Sequence, residues 1–341
     1  MYHFKNLVFE GGGVKGIAYI GAIDELRNRG ILDDIQRVAG TSAGAINAIL
    51  VGLNYSKEDI EHILMTLDFT KFMDDSLGII RDTARLIEEY GWYRGDYFRD
   101  WIGDIIEKKT GDADATFKDL QKAKKELGFK DLYFIGTNLS TGYSEVFSHE
   151  HTPDMSVADA VRISMSIPIF FASKRLANND VYVDGGVLAN YPIKIFDRQE
   201  YVIKHGLEKN YYIKQNQHIK KSTNTTPNLM YNQETLGFKL DSYEQISIFH
   251  DHADPKHKNI SNFAEFAISV VETIYNNQSN NHLHTDDWHR TIYIDSLGIK
   301  TTEFDLDDKQ KRDLIQSGSD YTIKYFKWFD DLKNTPCNRP E

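Results

Sequence analysis

The sequence predicts an α/β fold built on a parallel sheet, and three observations carry that prediction. A short apolar stretch, His3 to Phe9, runs into the glycine loop Glu10 to Gly16 (EGGGVKG). A helical period follows from Ile17 to Arg29, with apolar residues at Ile17, Tyr19, Ile20, Ile23 and Leu26 and Gly30 as a stop. A second apolar stretch, Ile35 to Ala39, turns through Gly40-Thr41-Ser42-Ala43-Gly44 into another helix, Ala43 to Leu53. Strand, loop, helix, strand, turn and helix in that order open an α/β unit.

The later elements follow the same signals. Ser56 to Leu67 reads as a helix with Ser56 as N-cap and Asp59 three residues on. Leu77 to Tyr90 and Asp96 to Lys108 read as helices. The stripe Tyr97, Phe98, Trp101, Ile102, Ile105 and Ile106 on the second is read as core. Asp131 to Leu139 and Tyr143 to Phe147 read as strands joined through Ser140-Thr141-Gly142. Ser156 opens a helix to Met165, with Asp159 in the capping-box position, and Pro168 closes that region. Val181 to Asp184 is a short strand entering Gly185-Gly186. Lys204 to Asn228 is polar and reads as a long surface insertion. Beyond it come a strand at Gly237 to Leu240, a helix from Ser261 to Tyr275, a strand at Arg290 to Ile294 and a helix from Asp308 to Trp328.

Composition narrows the function. The 341 residues are 40% hydrophobic and 27% charged, enough apolar material for a large core, and the formal net charge of −11 argues against a nucleic-acid partner. The single cysteine, Cys337, excludes an internal disulfide and a cysteine metal cluster. The histidines cluster in polar stretches without ligand spacing on a helix face, so no metal and no cofactor is expected. No run approaches the roughly 18 apolar residues of a membrane span. The first ten residues lack the pattern of a secretory signal. The expected location is the cytoplasm, with peripheral contact to a membrane, and a leaderless secretion route leaves no mark in a sequence.

Gly40-Thr41-Ser42-Ala43-Gly44 is a G-x-S-x-G pattern at a strand-to-helix junction. Such a turn thrusts the serine hydroxyl out of the sheet, and the following amide, Ala43, opens a helix that favours negative charge. The glycine loop has three readings. Gly11-x-Gly13-x-x-Gly16 fits a dinucleotide fingerprint, but the acidic ribose ligand is missing near Gln36. A phosphate loop requires Gly-Lys-Ser/Thr, whereas Lys15 precedes Gly16. An oxyanion hole built from the amides of Gly11, Gly12 and Gly13 is the third. The base for Ser42 is either a histidine or a carboxylate acting directly. Asp184 is the carboxylate candidate, carried by a parallel strand to the same sheet edge, although Asp-Gly is also an ordinary turn pair.

EGGGVKG, GTSAG and DGG in this order resemble the patatin-like phospholipase family, whose fold is similar to the catalytic domain of cytosolic phospholipase A2. The resemblance covers Leu7 to Asp197, and residues 198–341 are then an extension packed on the core. TFKDL (Thr116 to Leu120), VADAVRISMSIPIFF (Val157 to Phe171) and NQETLGF (Asn232 to Phe238) add to it. It implies a three-layer α/β/α sandwich with a mostly parallel sheet. It also implies a lipid acyl hydrolase in which Ser42 attacks an ester, Asp184 is the base without a histidine, and Gly11 to Gly13 hold the oxyanion. Lys15 and Gly16 support the loop, Gly40, Ala43 and Gly44 the serine turn, and Gly185 and Gly186 the aspartate turn. Glu10 departs from the aspartate or glycine usual in that family. The implied substrates are phospholipids, lysophospholipids or acylglycerols, and some enzymes of this kind need a protein activator. Ile167, Ile169, Phe170 and Phe171 are candidates for an acyl groove, and Phe69, Phe72, Trp92 and Tyr93 for a membrane surface, each with a plain core reading beside it. Two alternatives stand: an α/β-hydrolase esterase with a Ser-His-Asp triad, and a catalytically inert lipid-binding module.

Overall fold

The alternation of apolar residues along the short strands decides which side of the sheet each helix covers. The computed structural model describes residues 2–72, 90–176, 178–202, 206–223, 228–241, 259–261, 265–266, 269–275 and 285–339. In chain order the elements are β1 (Asn6–Phe9), a 3-10 turn (Gly13–Ala18), α1 (Tyr19–Asn28), β2 (Arg37–Gly40), α2 (Ala43–Gly52), α3 (Lys57–Met65), β3 (Gly91–Tyr93), α4 (Asp96–Thr110) and α5 (Phe117–Leu127). Then follow β4 (Asp131–Asn138), β5 (Tyr143–Phe147), α6 (Val157–Ser164), β6 (Ile169–Phe171), β7 (Lys174–Arg175), β8 (Val181–Asp184) and the single turn α7 (Gly186–Ala189). The remainder is β9 (Gly206–Leu207), α8 (Asn210–Thr223), β10 (Tyr231–Asn232), β11 (Thr235–Asp241), α9 (Thr285–His289), β12 (Thr291–Asp295) and α10 (Asp308–Asp330).

The main sheet runs β12-β11-β1-β2-β4-β8-β7, with β5 also paired to β4. The first five strands are mutually parallel. On one face Leu7, Phe9, Val38, Phe134, Leu236, Phe238 and Ile292 join the core under α1, α2, α6 and α10. On the other, Val8, Ala39 and Tyr133 meet Ile193, Phe196 and Tyr201. The period of two along each strand thus gives three layers. The predicted three-layer, mostly parallel α/β sandwich is what the chain forms. The strands beyond residue 198 are not peripheral to it: β11 lies directly against β1, in register from Asn6↔Thr235 to Phe9↔Phe238.

Several local expectations change. β8 is antiparallel to β4, not parallel, with Gly136 opposite Asp184. Asp159 does not close a capping box on Ser156, because Arg99 takes its carboxylate at 3.1 Å. Within Lys204 to Asn228 lies α8, whose Tyr212 is buried with its hydroxyl on Asp197. Phe69 and Phe72 are buried beside Phe98, Trp101 and Phe304 and form no membrane surface. Tyr93 packs on Phe170, and the side chain of Trp92 lies outside the described residues. The helix expected over Leu77 to Tyr90 falls on residues that are also outside them, apart from Tyr90, which is a bend. Ser261 is not helical, but residues 265–266 and 269–275 are.

Candidate active site

Ser42 occupies the turn between β2 and α2 with φ 54° and ψ −128°, a conformation that costs a non-glycine residue on the order of 1–3 kcal/mol. Its flanking glycines are set by contact. A Cβ on Gly40 would stand 2.2 Å from the Gly44 carbonyl oxygen, and one on Gly44 would stand 2.4 Å from that of Phe9. Only without side chains can strand and helix close so tightly on the serine. The Ser42 amide donates to Ser164 Oγ at 3.1 Å, and its hydroxyl is 3.5 Å from Met165 Sδ. Ser42 is 1% exposed.

Sheet register brings Asp184 to it. Gly40 pairs with Phe134 on β4, so a straight continuation of β2 would set residue 42 opposite Gly136, and Gly136 pairs on its other side with Asp184. An antiparallel strand arriving from beyond the sheet edge therefore ends where the parallel strand's turn begins. Asp184 is fully buried. Its amide donates to the Ser166 carbonyl at 2.8 Å, and Oδ1 accepts from the Gly186 amide at 2.7 Å. Oδ2 closes no hydrogen bond of good geometry among the described residues. Burial pushes the carboxyl up to about 7, against the opposing influence of the Gly186 amide and of the Ser42 and Tyr275 hydroxyls. A carboxylate in this position is a base matched to neutral pH.

The glycine loop closes the third side. Gly11 lies so near that a Cβ on it would be 3.0 Å from Ser42 Cβ. Its amide is already committed to the Asn190 carbonyl at 3.0 Å, so it is not available to an oxyanion. Among the described residues the amides of Gly12, Gly13 and Ala43 have no such acceptor. Gly13 has φ +56°, and a Cβ there would strike the Thr301 carbonyl oxygen at 2.0 Å, so glycine is required. Glu10, the departure from the family pattern, spans to β11: Oε2 accepts from the Leu240 amide at 2.8 Å. Lys15 is buried near Glu10, Asp241, Lys239 and Glu272, and burial lowers its pKa. Gly16 lies against Ala43, and Gly185 against the Ile135 carbonyl.

Sequence reasoning missed the residues that join these parts. Asn190 donates Nδ2 to the Gly11 carbonyl at 3.1 Å and to Glu10 Oε1 at 3.4 Å, while Thr41 Oγ1 donates to the Ala189 carbonyl at 3.0 Å. The turn after Asp184 therefore pins both the glycine loop and the serine turn. Arg162, fully buried, donates to Ser166 Oγ, the Gly95 carbonyl and the Ala172 carbonyl, fixing the loop that carries Ser164, Met165 and Ser166. Tyr275 comes from outside the three motifs and packs on Gly186. Ile167 and Phe171 are buried core, whereas Ile169 and Phe170 are half-buried. Among the described residues, His3 bonds Gln233, His151 bonds Ser148, and His289 bonds Cys337. Asp286, His289 and Cys337 form a mixed cluster of potential metal-ligand atoms. Asp286 there is already held by Lys209 at 3.4 Å, and the His289 Nδ1 accepts from the Cys337 amide at 3.1 Å.

The family model for patatin-like phospholipases matches residues 7–197, more than half of the chain. The chain is 29% identical over 333 residues to the protein YqhO of Bacillus subtilis (strain 168), covering 94% of this chain and 97% of that one. It is 28% identical over 193 residues to the probable lipid hydrolase 463L of invertebrate iridescent virus 6, covering 57% of this chain and 63% of the viral protein, less than two thirds of its length. Among solved structures, VipD from Legionella pneumophila shares the fold at a TM-score of 0.59 and 21% identity, over 95% of this chain and 67% of that one. Fold and family together define a lipid acyl hydrolase. The chain belongs to the patatin-like phospholipase family. Among the described residues, no helix is long and apolar enough to cross a membrane.

Proposed function

We propose that this chain hydrolyses carboxylic esters of phospholipids, lysophospholipids or acylglycerols through an acyl-enzyme on Ser42. The observation that carries the reading is the strained Ser42 turn enclosed with a buried carboxylate, Asp184, on which the Ser42 hydroxyl acts. Ser42 Oγ attacks the ester carbonyl carbon and its proton passes to Asp184 Oδ2. The carbonyl oxygen becomes an oxyanion held by the amides of Gly12, Gly13 and Ala43. Collapse breaks the carbon–oxygen bond to the alcohol, which takes the proton from Asp184. Water then attacks the acyl-Ser42 carbonyl, gives its proton to Asp184, and collapse returns a proton to Ser42 Oγ as the fatty acid leaves.

The test is fatty-acid release from mixed phospholipid vesicles and from a soluble short-chain ester. Ser42→Ala and Asp184→Asn are each expected to lose about a thousandfold or more in kcat, with unchanged circular dichroism. An Asp184→Asn variant that keeps its rate would overturn the dyad. A wild type inert on every lipid tried, alone and with cell lysate added as a source of activator, would leave the inert lipid-binding module.

A further inference from the structure

Two residues just past the aspartate turn serve two places at once. Toward the catalytic site, the Ala189 carbonyl accepts from Thr41 Oγ1 at 3.0 Å, and the Asn190 carbonyl accepts from the Gly11 amide at 3.0 Å. Asn190 Nδ2 also donates to the Gly11 carbonyl at 3.1 Å. The same Ala189 and Asn190 line a cavity of about 420 Å³, a volume within the range of small-ligand sites. Its walls come from Ile135 on β4, Val146 on β5, the stretch from Leu188 to Ile195, and Tyr212 and Gln215 on α8. Val146, Ile193 and Ile195 belong to the apolar cluster on the sheet face opposite α2. Among the described residues neither Ser42, Asp184 nor any residue of the glycine loop lines it, so the cavity is separate from the catalytic site.

The lining decides what fits. Ile135 and Ile193 are buried and form the inner wall, whereas Arg198 and Gln215 are exposed and mark the mouth. Among the described residues the lining holds two cations, Lys194 and Arg198, and no aspartate or glutamate, on a chain of net charge −11. Lys194 is committed to the buried Asp287 at 3.5 Å. Arg198 pairs with Glu200 at 3.7 Å, both more than half exposed, and a pair so solvated is weak enough to exchange its carboxylate for another. An apolar interior with a guanidinium at the rim suits a molecule of one chain and one carboxylate head. A free fatty acid has that form, and it is the product of the reaction proposed above.

We propose that this cavity binds a free fatty acid, its chain against Ile135, Val146 and Ile195 and its carboxylate on Arg198, and that binding there lowers turnover. A chain packed against Ala189 and Asn190 bears on the stretch that holds Gly11 and Thr41, which couples the cavity to the catalytic site. The inhibition rests on the hydrolase reading above, and the experiment separates the two. Binding of dodecanoate, below its micelle concentration, is measured by calorimetry in the Ser42→Ala background. The proteins compared are the parent, Arg198→Glu, Gln215→Trp to fill the mouth, and Lys309→Glu, an exposed lysine outside the lining. Arg198→Glu and Gln215→Trp are each expected to lose about tenfold or more in affinity and Lys309→Glu none, with dodecan-1-ol binding the parent about tenfold more weakly than the acid. With Ser42 intact, dodecanoate is expected to lower kcat on a soluble short-chain ester about fivefold or more while KM stays within about twofold, and Arg198→Glu to keep the uninhibited rate but resist the acid. Unchanged binding in Arg198→Glu overturns the proposal, as does an equal loss in Lys309→Glu, which would be an effect of bulk charge. Loss in Arg198→Glu without loss in Gln215→Trp places the acid on a surface arginine and overturns it too. So does dodecan-1-ol binding as tightly as the acid. Inhibition that raises KM alone puts the acid at Ser42 and overturns the second site. Dodecanoate binding that depends on Arg198 and Gln215, with wild type inert on every ester, overturns the hydrolase reading and leaves the fatty-acid cavity standing.

Discussion

Asp184 shows how a single residue's environment sets both chemistry and stability. In the unfolded chain it ionises near 3.8, and in the fold near 7, because burial penalises its charge. In the proposed mechanism only the ionised form accepts the Ser42 proton. The pH dependence of kcat/KM on a soluble ester is therefore expected to rise through a midpoint near 7 and level off above it; a limb centred near 4 would mean that Asp184 is not the base. Stability runs the other way. Between about 4 and 7 the folded state holds a proton that the unfolded state has lost, so stability falls as pH rises through that window and stays lower above it. Asp184→Asn removes this penalty. It is expected to abolish activity and yet stabilise the fold at pH 8 by on the order of 2–4 kcal/mol, read from urea unfolding, with the gain vanishing near pH 4. The site is thus a place where function opposes stability.

At the scale of elements, the serine turn, the glycine loop and the aspartate turn were legible in the sequence because each needs a short, fixed pattern of small residues. Gly40, Gly44 and Gly13 are readable as glycines for a steric reason that operates within a few residues or at one close approach. Strand direction was not legible. Val181 to Asp184 carries apolar residues that suit either pairing, and only its long-range partner Gly136 makes it antiparallel. The joints were not legible either: Asn190 lies six residues past Asp184 in a stretch with no motif of its own, and its bonds to Gly11 and Glu10 cross 179 and 180 residues of chain. Asn190→Ala leaves the Gly11 backbone held on one side only. The expectation is a fall in kcat of about ten- to a hundredfold with KM nearly unchanged, since the oxyanion donors shift while the substrate surface stays. A fall in both, in proportion to lost folded protein, would reduce Asn190 to a structural residue.

At the scale of the whole molecule, the question is whether the family-matched part stands alone. Matching stops at residue 197, but the sheet does not: β11 covers the open edge of β1, and β12 covers β11. α10 packs on α1 so closely that a Cβ on Gly318 would meet the Ala18 carbonyl oxygen at 1.9 Å, and one on Gly21 that of Ile315 at 2.0 Å. A buried ion cluster bridges the two parts. Arg290, fully buried, donates to Asp197 at 2.6 and 2.7 Å and to Asp287 at 2.6 and 3.1 Å. Cutting the chain after Asp197 would bare the apolar face residues beneath α10, expose β1 as an edge strand and leave the Asp197 carboxylate buried without its arginine. A fragment of residues 1–197 is therefore expected to be insoluble, or to show no cooperative melt by circular dichroism. Within the full chain, Arg290→Met is expected to cost about 3–5 kcal/mol, because Asp197 and Asp287 are then left as neighbouring buried charges. The double change Arg290→Met with Asp197→Asn should recover part of that loss, since it removes one of the stranded charges. A fragment 1–197 that melts cooperatively and cleaves a soluble ester would show instead that β1 tolerates an open edge and that the later strands only extend a self-sufficient catalytic unit.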